Sequence, residues 1–107
     1  QFIEKIHQVI EENLDNSDFN IDTIASTIGL SRSAFFKKLK SLTGFAPVDL
    51  VKEIRLNKSI ELIKNSDMSI SEIAFAVGFK DSGYFSKCFR KKYDQTPREY
   101  MNEWRKG

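Results

Sequence analysis

Lys87, Arg90, Lys91 and Lys92 place four cations within six residues, spaced so that a helix would carry several of them on one side. Phe85 and Phe89 lie four apart and read as the inward face of that helix. Ser82, Gly83, Ser86, Lys87 and Arg90 are then left facing out. Such a face is small, polar and basic. Its chemistry is hydrogen-bond donation and charge pairing, and a DNA major groove admits a helix of this kind. The chain offers little material for covalent or metal chemistry. His7 is its only histidine, so a metal site would lack its ligand cluster. Cys88 has a basic neighbour in Lys87 but no catalytic partner in the sequence. There is no glycine-rich phosphate loop, paired-carboxylate cleft or nucleophile elbow. The reading is of a protein that is not an enzyme and needs no cofactor.

The elements that must position those cations can be read from their punctuation. Ile70, Ile73, Ala74 and Val77 recur at helical spacing ahead of the basic stretch. Ser69 and Glu72 have the spacing of a capping box, with Met68 and Ile73 as its hydrophobic staple. Gly78 supplies the left-handed residue of a tight turn, and Asp81 caps the basic helix that follows.

The same pattern occurs earlier in the chain. Ile21 to Leu30 matches Ile70 to Phe79 at an offset of 49, and Ser31 to Pro47 matches Asp81 to Pro97 at an offset of 50. Ser31 pairs with Asp81 as a cap, Phe35 with Phe85, Lys37 with Lys87, Leu39 with Phe89 and Pro47 with Pro97. Two copies in register mark a structural repeat.

The net charge of +2 conceals a segregated distribution. Residues 1–22 carry −5, 23–48 carry +4, 49–79 carry −1, 80–93 carry +4, and 94–107 balance. Both positive blocks fall on the second helix of a repeat, where a phosphate backbone would feel them. At 107 residues, 40% hydrophobic with nine Phe, the chain can bury a core. No apolar run approaches membrane-spanning length, there is no signal-peptide pattern, and one Cys allows no internal disulfide. The single Cys also fits a reducing compartment. Because the first residue is Gln1, a fragment of a longer protein is expected.

In order, an amphipathic helix over about residues 2–14 sets Phe2, Ile3, Ile6, Ile10 and Leu14 against an acidic outer face of Glu4, Glu11 and Glu12. Asp15 to Asp18 reads as a loop, and Asn20 as a cap with Phe19 and Ile24 as its staple. Pro47 opens a long helix to about Asn65, roughly 27 Å at 1.5 Å per residue. Val48, Val51, Ile54, Leu56, Ile60, Leu62 and Ile63 give it apolar sides, with Arg55 among them as an anchor. Thr96-Pro97-Arg98-Glu99 opens a last helix through Trp104, in which Tyr100 and Trp104 read as packing residues. Phe35, Phe79, Phe85 and Phe89 read as core. No strand pattern appears, so the fold class is all-α with about seven helices. The expected organisation is residues 1–46 as a first helix-turn-helix unit, 47–66 as a linker helix, and 67–107 as a second unit, together one compact region.

These blocks resemble the DNA-binding region of AraC/XylS-type bacterial transcription regulators over essentially the whole chain. The resemblance is carried by Ile24-Ala25 through Gly29-Leu30, Ile73-Ala74 through Gly78-Phe79, Thr43-Gly44 and Ile54-Arg55-Leu56. Tyr84-Phe85-Ser86-Lys87-Cys88-Phe89-Arg90-Lys91 and Thr96-Pro97-Arg98-Glu99-Tyr100 complete it. The first helix and the Arg55-Leu56 linker also resemble C-terminal output domains of hybrid two-component sensor regulators in Bacteroidetes.

The resemblance implies two helix-turn-helix units joined by the long helix. Their recognition helices, about 31–43 and 81–93, would enter successive major-groove segments about 34 Å apart. It maps base contacts onto Ser33, Phe36 and Lys37 in the first unit and onto Ser82, Gly83, Ser86 and Lys87 in the second. Lys37 and Lys87 stand where the family commonly has Arg, so they reach guanine without a planar fork. Phe36 offers a ring to thymine methyls. Lys38 occupies a position the family often makes apolar, and Asp94 one where Gly is usual. Lys40, Ser41, Arg90 and Lys91 are the candidate phosphate contacts, with helix N-terminal amides after Ser31, Asp81 and Pro97.

Sequence-specific double-stranded DNA binding in transcription control, in the bacterial cytoplasm, is the function these features imply, and the resemblance adds an output role in a two-component system, with activator or repressor left open. RNA polymerase and an upstream sensory or dimerisation domain of the parent chain are the further partners. A second hypothesis is a helical protein-interaction module in which only one unit contacts DNA.

Overall fold

The expected helices recur in the computed structural model, which describes residues 2–16 and 20–105. Among these residues there are seven helices and no strand. They are α1 (Phe2–Glu12), α2 (Ile21–Thr27), α3 (Arg32–Thr43), α4 (Pro47–Asn65), α5 (Ile70–Ala76), α6 (Ser82–Tyr93) and α7 (Pro97–Trp104). The chain divides into two compact units. Gln1–Leu14 with Asp18–Ile54 forms one, and Asp15–Ser17 with Arg55–Gly107 forms the other.

Most helix ends are set by local chemistry. Asn20 and Ser31 cap α2 and α3 by accepting from Thr23 N at 3.0 Å and Ala34 N at 3.1 Å. Ser69 and Glu72 form the reciprocal capping box of α5, and Thr96 and Glu99 that of α7. In each box the carboxylate accepts the cap residue's own backbone N–H at 2.8 Å. Those bonds hold the Glu72 and Glu99 carboxyls below their usual titration range.

The first unit packs α1 across α2 and α3. Ile6, Ile10, Leu14, Ile24, Ala25, Phe35 and Leu39 are buried. Leu14 falls in a turn because α1 ends at Glu12, two residues before the end expected from periodicity. Asn13 N and Leu14 N bond back to Ile10 O and Glu11 O, tightening that last turn as helix ends commonly do. Phe2 meets Phe35 edge-on at 6.4 Å, and the Lys38 ammonium sits 4.4 Å from the centre of the Phe2 ring. That cation–π contact gives a basic side chain a packing role at a position where the resemblance implied an apolar one. The proposed staple of Phe19 on Ile24 lies outside the described residues.

The second unit is built on a ladder of rings. Phe79 meets Phe85 at 5.2 Å, Phe85 meets Phe89 at 5.8 Å, and Phe89 meets Tyr93 at 4.6 Å and Tyr100 at 5.8 Å. Phe85 and Phe89 are fully buried, as their spacing implied. Trp104 is not: it stacks on Tyr100, lies under the Lys64 ammonium at 4.3 Å, and is still 52% exposed. As the last residue of α7 it has no following turn to cover its outer side.

Helix α4 serves both units by changing its buried side. Pro47, Leu50, Val51 and Ile54 form one stripe, then Leu56, Ser59 and Ile63 form another. Ile54 and Leu56 are two residues apart and therefore on different sides of a helix turning 100° per residue. Val48, expected among the buried residues, is 60% exposed, because at 100° per residue it lies outside the arc that Pro47, Leu50, Val51 and Ile54 share. Leu50 is buried in its stead. Ser59 is tolerated at full burial because its hydroxyl donates to Leu56 O at 2.6 Å.

Two arginines close chain segments that no local residue could satisfy. Arg105 donates through Nε to Ile63 O at 3.1 Å, and through Nη1 to Met68 O at 2.8 Å. Ile63 O lies in the last turn of α4, where carbonyls have lost their helical partners. Arg55 donates through Nη1 to Gly78 O at 3.1 Å and through Nη2 to Asn16 O at 3.2 Å. Its Nε is buried without a partner, and burial lowers the affinity of the guanidinium for its proton.

Candidate nucleic-acid interface

Two turns of one design present the basic helices. In the first unit Gly29 N bonds to Ser26 O at 3.1 Å and Leu30 N to Ala25 O at 2.9 Å. In the second, Gly78 N bonds to Phe75 O at 3.0 Å and Phe79 N to Ala74 O at 2.9 Å. Each is the paired bonding of a Schellman motif, with glycine in the left-handed region at φ 79° and 95°. A Cβ there would strain the backbone, so both turns need glycine. The second turn is buried at Val77, Gly78 and Phe79, whereas Ile28 and Leu30 are half-buried and Gly29 is exposed.

Each basic helix ends on a left-handed residue as well. Gly44 N bonds to Lys40 O at 2.9 Å, and Asp94 N to Arg90 O at 2.8 Å. Asp94 holds φ 62°, a conformation Asp tolerates better than most residues.

With Phe35 and Leu39 buried, Ser33, Phe36, Lys37 and Lys40 occupy the exposed side of α3 at i, i+3, i+4 and i+7. The matching side of α6 carries Gly83, Ser86, Lys87 and Arg90, each 50 residues later. Gly83, Lys87 and Arg90 are exposed, while Ser82 and Ser86 are half-buried, less open than the spacing alone implied. Ser41 and Lys91 are exposed beside these stripes. Phe36 is 47% exposed, a large apolar ring on an otherwise polar face. Ser86, Lys87, Arg90 and Lys91 also line an open groove whose far side is Thr96, at the start of α7. The candidate residues of each unit therefore gather on one helix face.

The helix N-termini differ in charge. Ser31 caps α3 with a neutral hydroxyl. Asp81 caps α6 with a carboxylate 2.8 Å from Gly83 N, and a Cβ at position 83 would come within 3.2 Å of that oxygen. Gly83 thus gives the cap its room, a constraint that sequence spacing could not reveal. At α7 the Glu99 carboxylate already faces the first turn. One further cation, Arg32, is the first residue of α3 and lies with Nη1 3.5 Å from Asp22 Oδ1. Among the described residues, no three His, Cys, Asp or Glu side chains could together hold a metal ion, and no helix is long and apolar enough to cross a membrane.

Comparison with known proteins bears on the same helices. The family described as "Helix-turn-helix domain" matches residues 24–103. Histidine kinase P4 of Formosa agariphila is 38% identical over 104 residues, covering 97% of this chain and 8% of the kinase. The HTH-type transcriptional regulator MtrA of Neisseria gonorrhoeae is 34% identical over 98 residues, covering 92% of this chain and 32% of MtrA. The chain therefore spans only a small part of the relatives it matches. The crystal structure of the DNA-binding domain of AdpA in complex with a target DNA superposes with a TM-score of 0.88 at 28% identity. That match covers 98% of this chain and 93% of the AdpA domain.

Proposed function

The chain belongs to the AraC-type helix-turn-helix family of sequence-specific, transcription-regulating DNA-binding domains, and from that premise we propose that α3 and α6 are its two reading heads. Lys37 and Lys87 donate to guanine O6 and N7, and Ser33, Ser82 and Ser86 contact base edges nearby. Phe36 packs on thymine methyls, and Gly83 lets the backbone come close without reading a base. Lys40, Ser41, Arg90 and Lys91 hold phosphates and set register and affinity. The neutral cap of α3 makes its N-terminus the better phosphate seat, since the α6 and α7 termini already face carboxylates.

The observation that carries this reading is that the two outward stripes fall at the same repeat positions and keep their cations there, Lys37 on Lys87 and Lys40 on Arg90. In vitro selection from random duplexes, followed by a salt titration on the winning sequence, tests it. Two half-sites about one helical turn apart and a steep salt slope are expected. Lys37→Ala and Lys87→Ala should each cost on the order of 1–3 kcal/mol and relax base preference in separate half-sites. If neither weakens binding to the selected site, the residue assignment is wrong.

In this proposal the chain is the DNA-binding output of a longer bacterial regulator acting in the cytoplasm, with no catalytic role of its own. Its small share of the kinase and of MtrA supports a sensory or dimerisation domain elsewhere in the same polypeptide. Linking two such heads through that domain would raise affinity by effective concentration.

The second reading, in which one unit docks on a protein such as RNA polymerase, has an observation of its own. Leu42, Phe45 and Val48 are 57%, 39% and 60% exposed. Their counterparts at the offset of 50 are the polar residues Lys92, Gln95 and Arg98. A footprint limited to one major-groove segment would favour this reading over two reading heads.

A further inference from the structure

The two units differ at the entrance to the recognition helix. At offset 50, Arg32 stands where the second unit has Ser82, and at offset 49, Asp22 stands where it has Ser71. The Arg32 guanidinium lies 3.5 Å from the Asp22 carboxylate, and both side chains are largely open to solvent, at 70% and 65%. An ion pair so exposed contributes little to folding. Its consequence is to bias where one cation sits. It ties the first residue of α3 to the first turn of α2, one residue ahead of Ser33, where the outward stripe begins.

We propose that Arg32 is a base-reading residue of the first unit, and that Asp22 is the positioning residue that aims it. This rests on the DNA-binding reading above. Recognition helices touch base edges with their N-terminal residues, and Arg32 is the first residue of its helix. The ion pair runs through Nη1, so the Nε–Nη2 edge of the planar fork keeps the geometry that guanine O6 and N7 accept. Lys37 and Lys87 have no such fork, and the fork of Arg90 lies in the last turn of α6, which leaves Arg32 as the arginine at the N-terminal, base-facing end of a recognition helix.

The carboxylate acts on specificity in two ways. It limits the rotamers that the long side chain must give up on docking. It also disfavours the wrong contact: an Arg32 that swings to a phosphate leaves Asp22 unpaired in the negative field of the backbone. On the matched site the pair persists, and on a mismatched site one of its members loses. Asp22 therefore lowers affinity for non-specific DNA while sharpening a single position of the preferred site. Nothing equivalent is available to the second unit, where both positions are serine.

The test is duplex selection and salt-titrated binding with this chain as wild type, Arg32→Ala, Arg32→Lys and Asp22→Asn, with Lys37→Ala alongside. Both pair members are exposed, and unchanged helical circular dichroism would show the variants fold. Arg32→Ala is expected to erase the guanine preference at one position, distinct from the position lost in Lys37→Ala. It should lower affinity for the winning duplex about 5- to 150-fold. Arg32→Lys should restore affinity on all duplexes but not that base preference. Asp22→Asn should blunt the same position while tightening binding to scrambled duplex. The proposal is overturned if Arg32→Ala keeps every base preference and only reduces the salt slope by about one, the signature of a phosphate contact. It is equally overturned if Asp22→Asn leaves the selected motif unchanged. A wild type that selects no motif at all removes the DNA-reading function itself, an outcome distinct from either of these.

Discussion

Replacing Arg55 tests whether a single long-range side chain holds the second helix-turn-helix in place. Arg55 makes two charge-assisted bonds, but they are unequal. Asn16 is exposed, so water replaces the guanidinium there at small cost. Gly78 is buried, and its carbonyl is the last group before the chain turns into Phe79 and the recognition helix. Leaving that acceptor unpaired costs about 1–3 kcal/mol. Loss of the side-chain stem from a half-buried site adds to this, while release of the partnerless Nε gives a little back.

The net expectation for Arg55→Ala is a loss of about 2–3 kcal/mol. At about 4–8 °C per kcal/mol for a domain of this size, the melting temperature should fall by roughly 10–20 °C. Arg55→Lys keeps a charge with one compact donor group, enough for Gly78 O or Asn16 O but not both, and should lie between. Arg55→Met keeps the stem and discards the donors. Urea unfolding with the slope held constant measures all three. An Arg55→Met chain as stable as wild type to within about 0.5 kcal/mol would refute the reasoning, because it would mean that desolvation cancels the bonds completely.

Other outcomes follow from single features. Asp94→Gly should stabilise the chain by about 0.5–1 kcal/mol, since Asp94 holds a left-handed backbone that glycine adopts without strain; thermal melting reads it. Arg105→Ala should cost about 2 kcal/mol by orphaning Ile63 O and Met68 O, with early loss of hydrogen-exchange protection at the end of α4. Ser69→Ala and Thr96→Ala should each cost about 1 kcal/mol in urea unfolding through loss of a cap. Because the Glu72 and Glu99 carboxyls titrate below the usual value of 4.5, their contribution is present above that pH. It should fade as pH falls through their lowered values. Tyr93 works in the opposite sense: burial, then the neighbouring Tyr100, raises its phenol from 10.0 to about 12. The folded state thus holds the proton that the unfolded chain releases first, and stability should decline as pH rises from about 10 to 12. Tyr93→Phe, which also gives up the bond to Asn57 Oδ1 at 3.0 Å, should flatten that decline in alkaline unfolding curves.

What the sequence determined by itself is everything whose partner lies two to five residues away. Asn20, Ser31, Ser69, Asp81 and Thr96 are caps because a short side-chain oxygen reaches an amide two or three residues on, whatever the rest of the chain does. The two glycine turns, the inward Phe85 and Phe89, and the outward basic stripes follow from the same short range, and duplication made each one checkable against its copy. Val48, Trp104, Arg55 and Arg105 belong to the other class. Whether Val48 or Leu50 is buried depends on which side of α4 meets a neighbour, and the apolar pattern of that helix allows both. Trp104 is exposed because α7 ends there, a matter of what packs over a helix end rather than of hydrophobicity. Arg55 reaches a carbonyl 23 residues away and Arg105 one 42 residues away, and only the fold brings those acceptors within 3.1 Å. The Arg32–Asp22 pair spans α2 and α3 and sits on the same boundary. Its members are legible as charges, but their meeting depends on how the turn at Gly29 folds one helix back across the other.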